Sequence, residues 1–83
     1  MSESVSLKIK SVAANIRKIR EHKNYTQEYL AAKLNISQNA YSKLELGYTK
    51  ITLERLFHIA IILEVDPIDL INIENSKLMH IAP

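Results

Sequence analysis

The sequence predicts an all-α protein, a compact bundle of five short helices followed by a C-terminal tail. Two observations carry that prediction. Four times along the chain a helix-capping residue is bracketed by two apolar residues in the N′ and N4 positions, the spacing of a hydrophobic staple: Tyr25 and Leu30 around Thr26, Ile36 and Tyr41 around Ser37, Ile51 and Leu56 around Thr52, Val65 and Leu70 around Asp66. The chain also spends only one glycine and two prolines among its 83 residues. The glycine, Gly47, falls where a helix needs a closing residue of positive φ.

Taken in order, residues 1–5 are expected to fray. Over residues 6–23, Ile9, Val12, Ile16 and Ile19 recur at intervals of three and four with Ala13 beside them, one stripe of an amphipathic helix. Ser6 or Ser11 is its candidate cap. Thr26 caps a second helix, Gln27–Leu34, with Gln27 and Glu28 in a first turn whose dipole favours acidic and acceptor groups. The corner after it is short, and Asn35 is the residue there best able to turn left-handed. Ser37 caps a third helix over residues 38–46. A loop then leads to Thr52 and a fourth helix, Leu53–Leu63, expected to turn Leu53, Leu56, Phe57, Ala60 and Leu63 inward. After a corner at Glu64 and Val65, Asp66-Pro67 opens a fifth helix, with proline at N1, where its missing N–H costs nothing. The tail, IENSKLMHIAP, has no clear period.

Composition excludes several function classes. There is no cysteine, hence no disulfide, thiolate zinc site or cysteine nucleophile, in keeping with a reducing compartment. His22, His58 and His80 are far apart and belong to no H-E-x-x-H, P-loop or G-x-S-x-G pattern. No catalytic residue, metal or cofactor is expected. The N-terminus, MSESVSLKIK, lacks the apolar core of a secretion signal, and the apolar run at residues 59–63 is far too short to span a bilayer. The expected location is cytoplasmic, with no membrane partner.

Net charge is +2, but its distribution is uneven. Residues 1–50 hold nine basic side chains against four acidic ones, net +5, and residues 51–83 hold two against five, net −3. Such asymmetry suits a chain that turns one face toward a polyanion.

The stretch TQEYLAAKLNISQNAYSKLELG, residues 26–47, is two short helices across a sharp corner. Its pattern has Gln27 opening the first helix, Leu30, Ala31 and Leu34 facing inward, Ile36 in the turn, Tyr41 and Leu44 inside the second helix, and Glu45 with Gly47 closing it. Arg20 precedes the unit, and Val65 to Leu70 end the fifth helix in the expected way. In these residues the chain resembles the helix-turn-helix of the phage Cro and lambda-repressor type, the XRE family of bacterial regulators. The resemblance covers about residues 8–72 and implies a lambda-repressor-like DNA-binding domain over residues 1–72, with residues 73–83 as a dimerisation or partner segment. Two positions depart from the family pattern. Asn35 stands where glycine is usual, and Tyr41 replaces an aliphatic residue, so its hydroxyl must reach solvent or a partner such as a phosphate.

The resemblance also implies roles. The second helix of such a unit enters the major groove, so Gln38, Asn39, Ser42 and Lys43 are the base-reading candidates. Gln and Asn can donate to and accept from adenine, Lys can donate to guanine, and Ser is permissive. Gln27 and Ser37, each at a helix start, together with Tyr48, Thr49 and Lys50 in the following loop, are candidates for phosphate contact. Arg17, with Lys10, is a further one. Arg20 and Glu45 are expected to pair across helices one and three as a structural pair. The implied function is sequence-specific binding of double-stranded DNA as a transcriptional regulator, a repressor acting as a homodimer on a near-palindromic site. The dimer surface is expected among Ile61, Ile62, Ile68 and Ile71 and the apolar residues of the tail. A second reading keeps the fold but makes it a protein-interaction module, such as an antitoxin whose tail engages a toxin.

Overall fold

The computed structural model describes residues 3–72, in which five helices follow one another: α1 (Glu3–His22), α2 (Gln27–Leu34), α3 (Gln38–Glu45), α4 (Leu53–Leu63) and α5 (Pro67–Ile71). The expected tail, 73–83, lies outside the described residues. Each of the four later helices starts as its sequence dictates. The Thr26, Ser37 and Thr52 hydroxyls accept from the backbone N–H groups of Tyr29, Ala40 and Arg55 at 3.0, 3.0 and 3.1 Å, and Asp66 accepts from Ile68 at 3.0 Å. The staples close as well. Tyr25, Ile36, Ile51 and Val65 are half-buried against the core that contains their partners Leu30, Tyr41, Leu56 and Leu70.

The helix ends repeat a second device. After α1, α2, α3 and α4 the chain turns through a left-handed residue, Asn24 (φ 62°), Asn35 (φ 59°), Gly47 (φ 78°) and Glu64 (φ 59°). In each case that residue's N–H donates three residues back and the next N–H donates five back, as in Tyr25 to Arg20, Ile36 to Ala31, Tyr48 to Lys43 and Val65 to Ala60. This is the Schellman arrangement, which satisfies carbonyls that the helix end would leave orphaned.

Packing is pairwise: α2 on α3, α1 on α3 and α5, α4 on α2 and α5. Ile16 and Ile19 of α1, Leu30 of α2, Tyr41 of α3, Ile59 and Leu63 of α4 and Leu70 of α5 are fully enclosed at the centre. Burying each aliphatic side chain contributes about 1.5–3 kcal/mol before entropic costs. Ala31, 3% exposed, sits where α2 and α3 approach closely, and a larger side chain would push them apart. The buried Asn15 side chain donates to the Leu70 carbonyl at 2.9 Å, anchoring the end of α5 to α1.

Two expectations are corrected. α1 begins at Glu3, so residues 3–5 are helical, and Ser6 and Ser11 lie inside the helix instead of capping it. Glu3 in the first turn suits the helix dipole. On α4, Leu53 (69% exposed) and Phe57 (50%) face outward, while Ile59 takes the core position. The Tyr41 hydroxyl, expected to reach solvent or a partner, finds its partner inside the fold. The ring is fully buried and the hydroxyl donates to Glu45.

Candidate nucleic-acid interface

α3 lies over α1 and α2 with Tyr41, Leu44 and Glu45 turned inward. At 100° per residue this leaves Asn39 and Lys43 on the outermost line of the helix, with Gln38 and Ser42 on the flank that leads round to Glu45. Gln38, Asn39 and Lys43 are exposed and Ser42 is half-buried. The four base-reading candidates therefore form one continuous outward surface of α3.

The helix is held there by a buried polar cluster. Arg20 of α1 grips Glu45 at two points, Nε to Oε2 at 2.6 Å and Nη2 to Oε1 at 3.1 Å, and its Nη1 donates to the Tyr25 carbonyl at 2.8 Å. Glu45 also accepts from the Tyr41 hydroxyl at 2.5 Å and from the Gln27 amide at 3.1 Å. Burial opposes ionisation of Glu45, but the hydrogen bonds from Arg20, Tyr41 and Gln27 outweigh it and hold the carboxyl below the usual carboxylate range. The bond to Glu45 raises Arg20, and burial, together with the phenol's own hydrogen bond to Glu45, pushes Tyr41 up. The cluster is thus an arginine cation, a carboxylate and a neutral phenol. It uses an acidic group that would otherwise repel a polyanion, and it ties α1, α2 and α3 into one unit. The expected Arg20–Glu45 pair is present.

Beside α3 runs a groove walled by Ser37, Asn39 and Lys43 on one side and by Thr49, Lys50 and Arg55 on the other. Tyr48, 74% exposed, Thr49 and Lys50 follow α3 in the loop that Gly47 opens. A second, smaller groove joins that loop to Lys10 of α1. Gly47 is required here twice over: its φ is left-handed, and a Cβ at this position would lie 2.8 Å from Lys10 Cγ and 3.3 Å from Lys10 Cα. Among the described residues the ion pairs join Arg17 with Glu21 and Arg20 with Glu45. Lys43, Lys50 and Arg55 on the α3 groove, and Lys10 beside the adjoining loop, thus have no acidic partner among the described residues.

The phosphate candidates separate under this geometry. Ser37, Thr49 and Lys50 share the groove with Asn39 and Lys43, and Tyr48 joins Lys50 in the groove beside Lys10. Gln27 directs an amide hydrogen to Glu45, within the cluster that supports α3. Arg17 is on neither groove; it pairs with Glu21 across one exposed turn of α1 at 3.3 Å. Arg55 is the cation that sequence reasoning missed. It stands in the first turn of α4, and only the approach of α4 to α3 brings it to the groove. His22 and His58 are exposed on different helices, and no group of acidic or histidine side chains among the described residues could hold a metal. No helix among them is long and apolar enough to cross a membrane.

The model of a helix-turn-helix family matches residues 16–70, from the middle of α1 to the end of α5. The chain belongs to the helix-turn-helix family of the Cro and lambda-repressor type. No curated protein matches the sequence. Membership makes this a protein of a family of DNA-binding transcription regulators, whose domain binds double-stranded DNA and is not an enzyme fold. In the helix-turn-helix protein, α2 and α3 are the paired helices, and the matched segment contains all four members of the buried cluster.

Proposed function

We propose that this helix-turn-helix protein is a sequence-specific transcriptional repressor that binds a near-palindromic site as a dimer, with α3 in the major groove. The observation that supports this reading best is the combination at α3. Its inner face is clamped to α1 through Glu45 and Arg20, while its outer face offers Gln38, Asn39, Ser42 and Lys43 between cations that have no acidic partner among the described residues. Asn39 and Gln38 suit adenine, Lys43 suits guanine, and Lys10, Lys50, Arg55, Tyr48, Thr49 and Ser37 suit the flanking phosphates. Repression follows from occupancy, because a bound dimer covers a promoter without needing any further activity.

Dimerisation is supported by an apolar line along α4. Leu53, Phe57 and Ile61 recur every fourth residue and are 69, 50 and 74% exposed, and Ile68 of α5 is 66% exposed. Exposed apolar side chains aligned on one helix mark an interaction surface more than a solvated one. A two-fold pairing across α4, whose first turn borders the groove, sets both α3 helices toward one side of the duplex, where half-sites recur at about 34 Å.

Selection of bound sequences from a random duplex pool tests the whole reading. Enrichment of a two-fold symmetric site with half-sites one helical turn apart is the expected result. Random duplex bound as tightly as any selected sequence would overturn sequence-specific regulation in favour of a protein-interaction role. An enriched site without symmetry would remove the dimer.

A further inference from the structure

The part of α1 from Glu3 to Asn15 precedes the segment that matches the family model. It is nevertheless built into the bundle: Ala13 and Asn15 are buried, Val12 packs against the core, and the Asn15 amide donates to the Leu70 carbonyl. Helix geometry places Lys8 and Lys10 about 200° apart round α1. Lys8 borders an apolar depression with Leu56 and Ile71, while Lys10 turns to the loop that follows α3.

Lys10 is seated against that loop. A Cβ on Gly47 would fall 2.8, 3.3 and 3.5 Å from the Cγ, Cα and Cβ of Lys10, so the stem of Lys10 lies on the bare Gly47 backbone. The groove there, about 200 Å³, is also lined by Ser6, one turn earlier on α1, and by Tyr48, Thr49 and Lys50 across from it. Thr49 and Lys50 line this groove and the α3 groove alike, which makes the two one track past Lys43, Lys50 and Lys10. A DNA strand carries a phosphate about every 3.4 Å of helix axis, so a track of this kind meets several in succession. We infer that the N-terminal part of α1 is a second DNA-contacting element, in which Lys10, seated on Gly47, binds a backbone phosphate beyond those at Thr49 and Lys50. The inference rests on α3 entering the major groove, and it adds a contact that carries no base information. Holding the stem before DNA arrives lowers the ordering cost of the contact. Gly47 is then a positioning residue for Lys10 besides closing α3.

Binding of the full chain to the selected duplex and to random duplex, followed as salt is raised, tests this. Lys10→Met, which keeps the stem and removes the charge, should reduce the slope of log affinity against log salt by about 0.9 on both duplexes, and Lys10→Arg should restore it. Lys10 is exposed, so neither variant should unfold the chain. Lys8→Met removes the same charge from the other side of α1 and should leave the slope nearly unchanged. Equal losses from Lys8→Met and Lys10→Met would reduce the effect to net charge and overturn the inference. Phosphate-ethylation interference on the selected duplex locates the contact. One phosphate outside those whose signal Lys50→Ala removes should lose its signal in Lys10→Met, and an unchanged pattern would also overturn the inference. A parent chain that binds no duplex at any salt would remove the DNA reading and this inference with it. A parent that binds with a slope Lys10→Met does not alter would remove the inference alone.

Discussion

The Glu45 carboxylate meets the Arg20 guanidinium edge to edge, at 2.6 and 3.1 Å, and the Glu45 side chain is only 2% exposed. The contact joins the outward-facing helix to α1 across 25 residues of sequence. Its energetic meaning is asymmetric. A buried pair with good geometry contributes little net stability over an apolar substitute, because both ions were taken out of water, but removing one partner strands the other.

Glu45→Ala should therefore destabilise the fold by about 3–5 kcal/mol, since it leaves Arg20, Tyr41 and Gln27 without their common acceptor. Thermal unfolding measures it. An unchanged melting temperature would deny the pair its structural role.

The same carboxylate sets a pH dependence. Its folded-state pKa lies below the unfolded value of 4.5, so the stability it contributes is present above about pH 4.5 and is lost as pH falls through the folded pKa. Unfolding of the parent chain should steepen on acidification below that pH. Glu45→Gln, which keeps the shape and lacks the titration, should be less stable at neutral pH, with the gap to the parent narrowing in acid. A gap that stays constant down to pH 3 would contradict the assignment.

Tyr41→Phe separates a structural phenol from one that reaches DNA. The hydroxyl is enclosed and donates to Glu45, so its loss should cost about 1–2 kcal/mol of stability. The salt dependence of DNA binding should not change, because no phosphate contact is lost. Lys50→Ala and Arg55→Ala should do the reverse. Each should leave stability nearly intact and reduce the slope of log affinity against log salt by about 0.9. Asn39→Ala and Lys43→Ala should cost about 1–3 kcal/mol on the selected site and much less on random duplex.

What was legible in the sequence was mostly local. Caps and staples act within five residues, so Thr26, Ser37, Thr52 and Asp66 announce helix starts without knowledge of the fold. The face of α4 was not legible in this way. Apolar residues occupy eight of its eleven positions, so no single stripe stands out, and packing against α2 and α5 decides that Ile59 goes in and Phe57 stays out. Arg55 was missed for a related reason, as its role depends on how close α4 comes to α3. The outward face of α3 was readable because the family pattern assigns its inner residues, and the roles of Gln27 and Tyr41 were not, because both depend on how α1 and α2 pack around the Glu45 carboxylate, one turn from Tyr41 on α3 and across the corner from Gln27.

The left-handed closing residues divide by the same logic and supply the last prediction. Gly47 and Asn35 suit positive φ, but Glu64 does not, because its Cβ crowds the following carbonyl at a cost of about 1–2 kcal/mol. The turn persists because Val65 must fold back to donate to Ala60 and pack against the core. Glu64 is exposed, so exchanging it disturbs no packed side chain. Glu64→Gly relieves the crowding but gives the unfolded chain more freedom, leaving a net gain of about 0.5–1 kcal/mol. Gly47→Ala should lose stability, since it adds left-handed strain to a 2.8 Å approach to Lys10. The two variants should move the melting temperature in opposite directions. Should Glu64→Gly lower it instead, the side chain of Glu64 would have to hold something other than the turn.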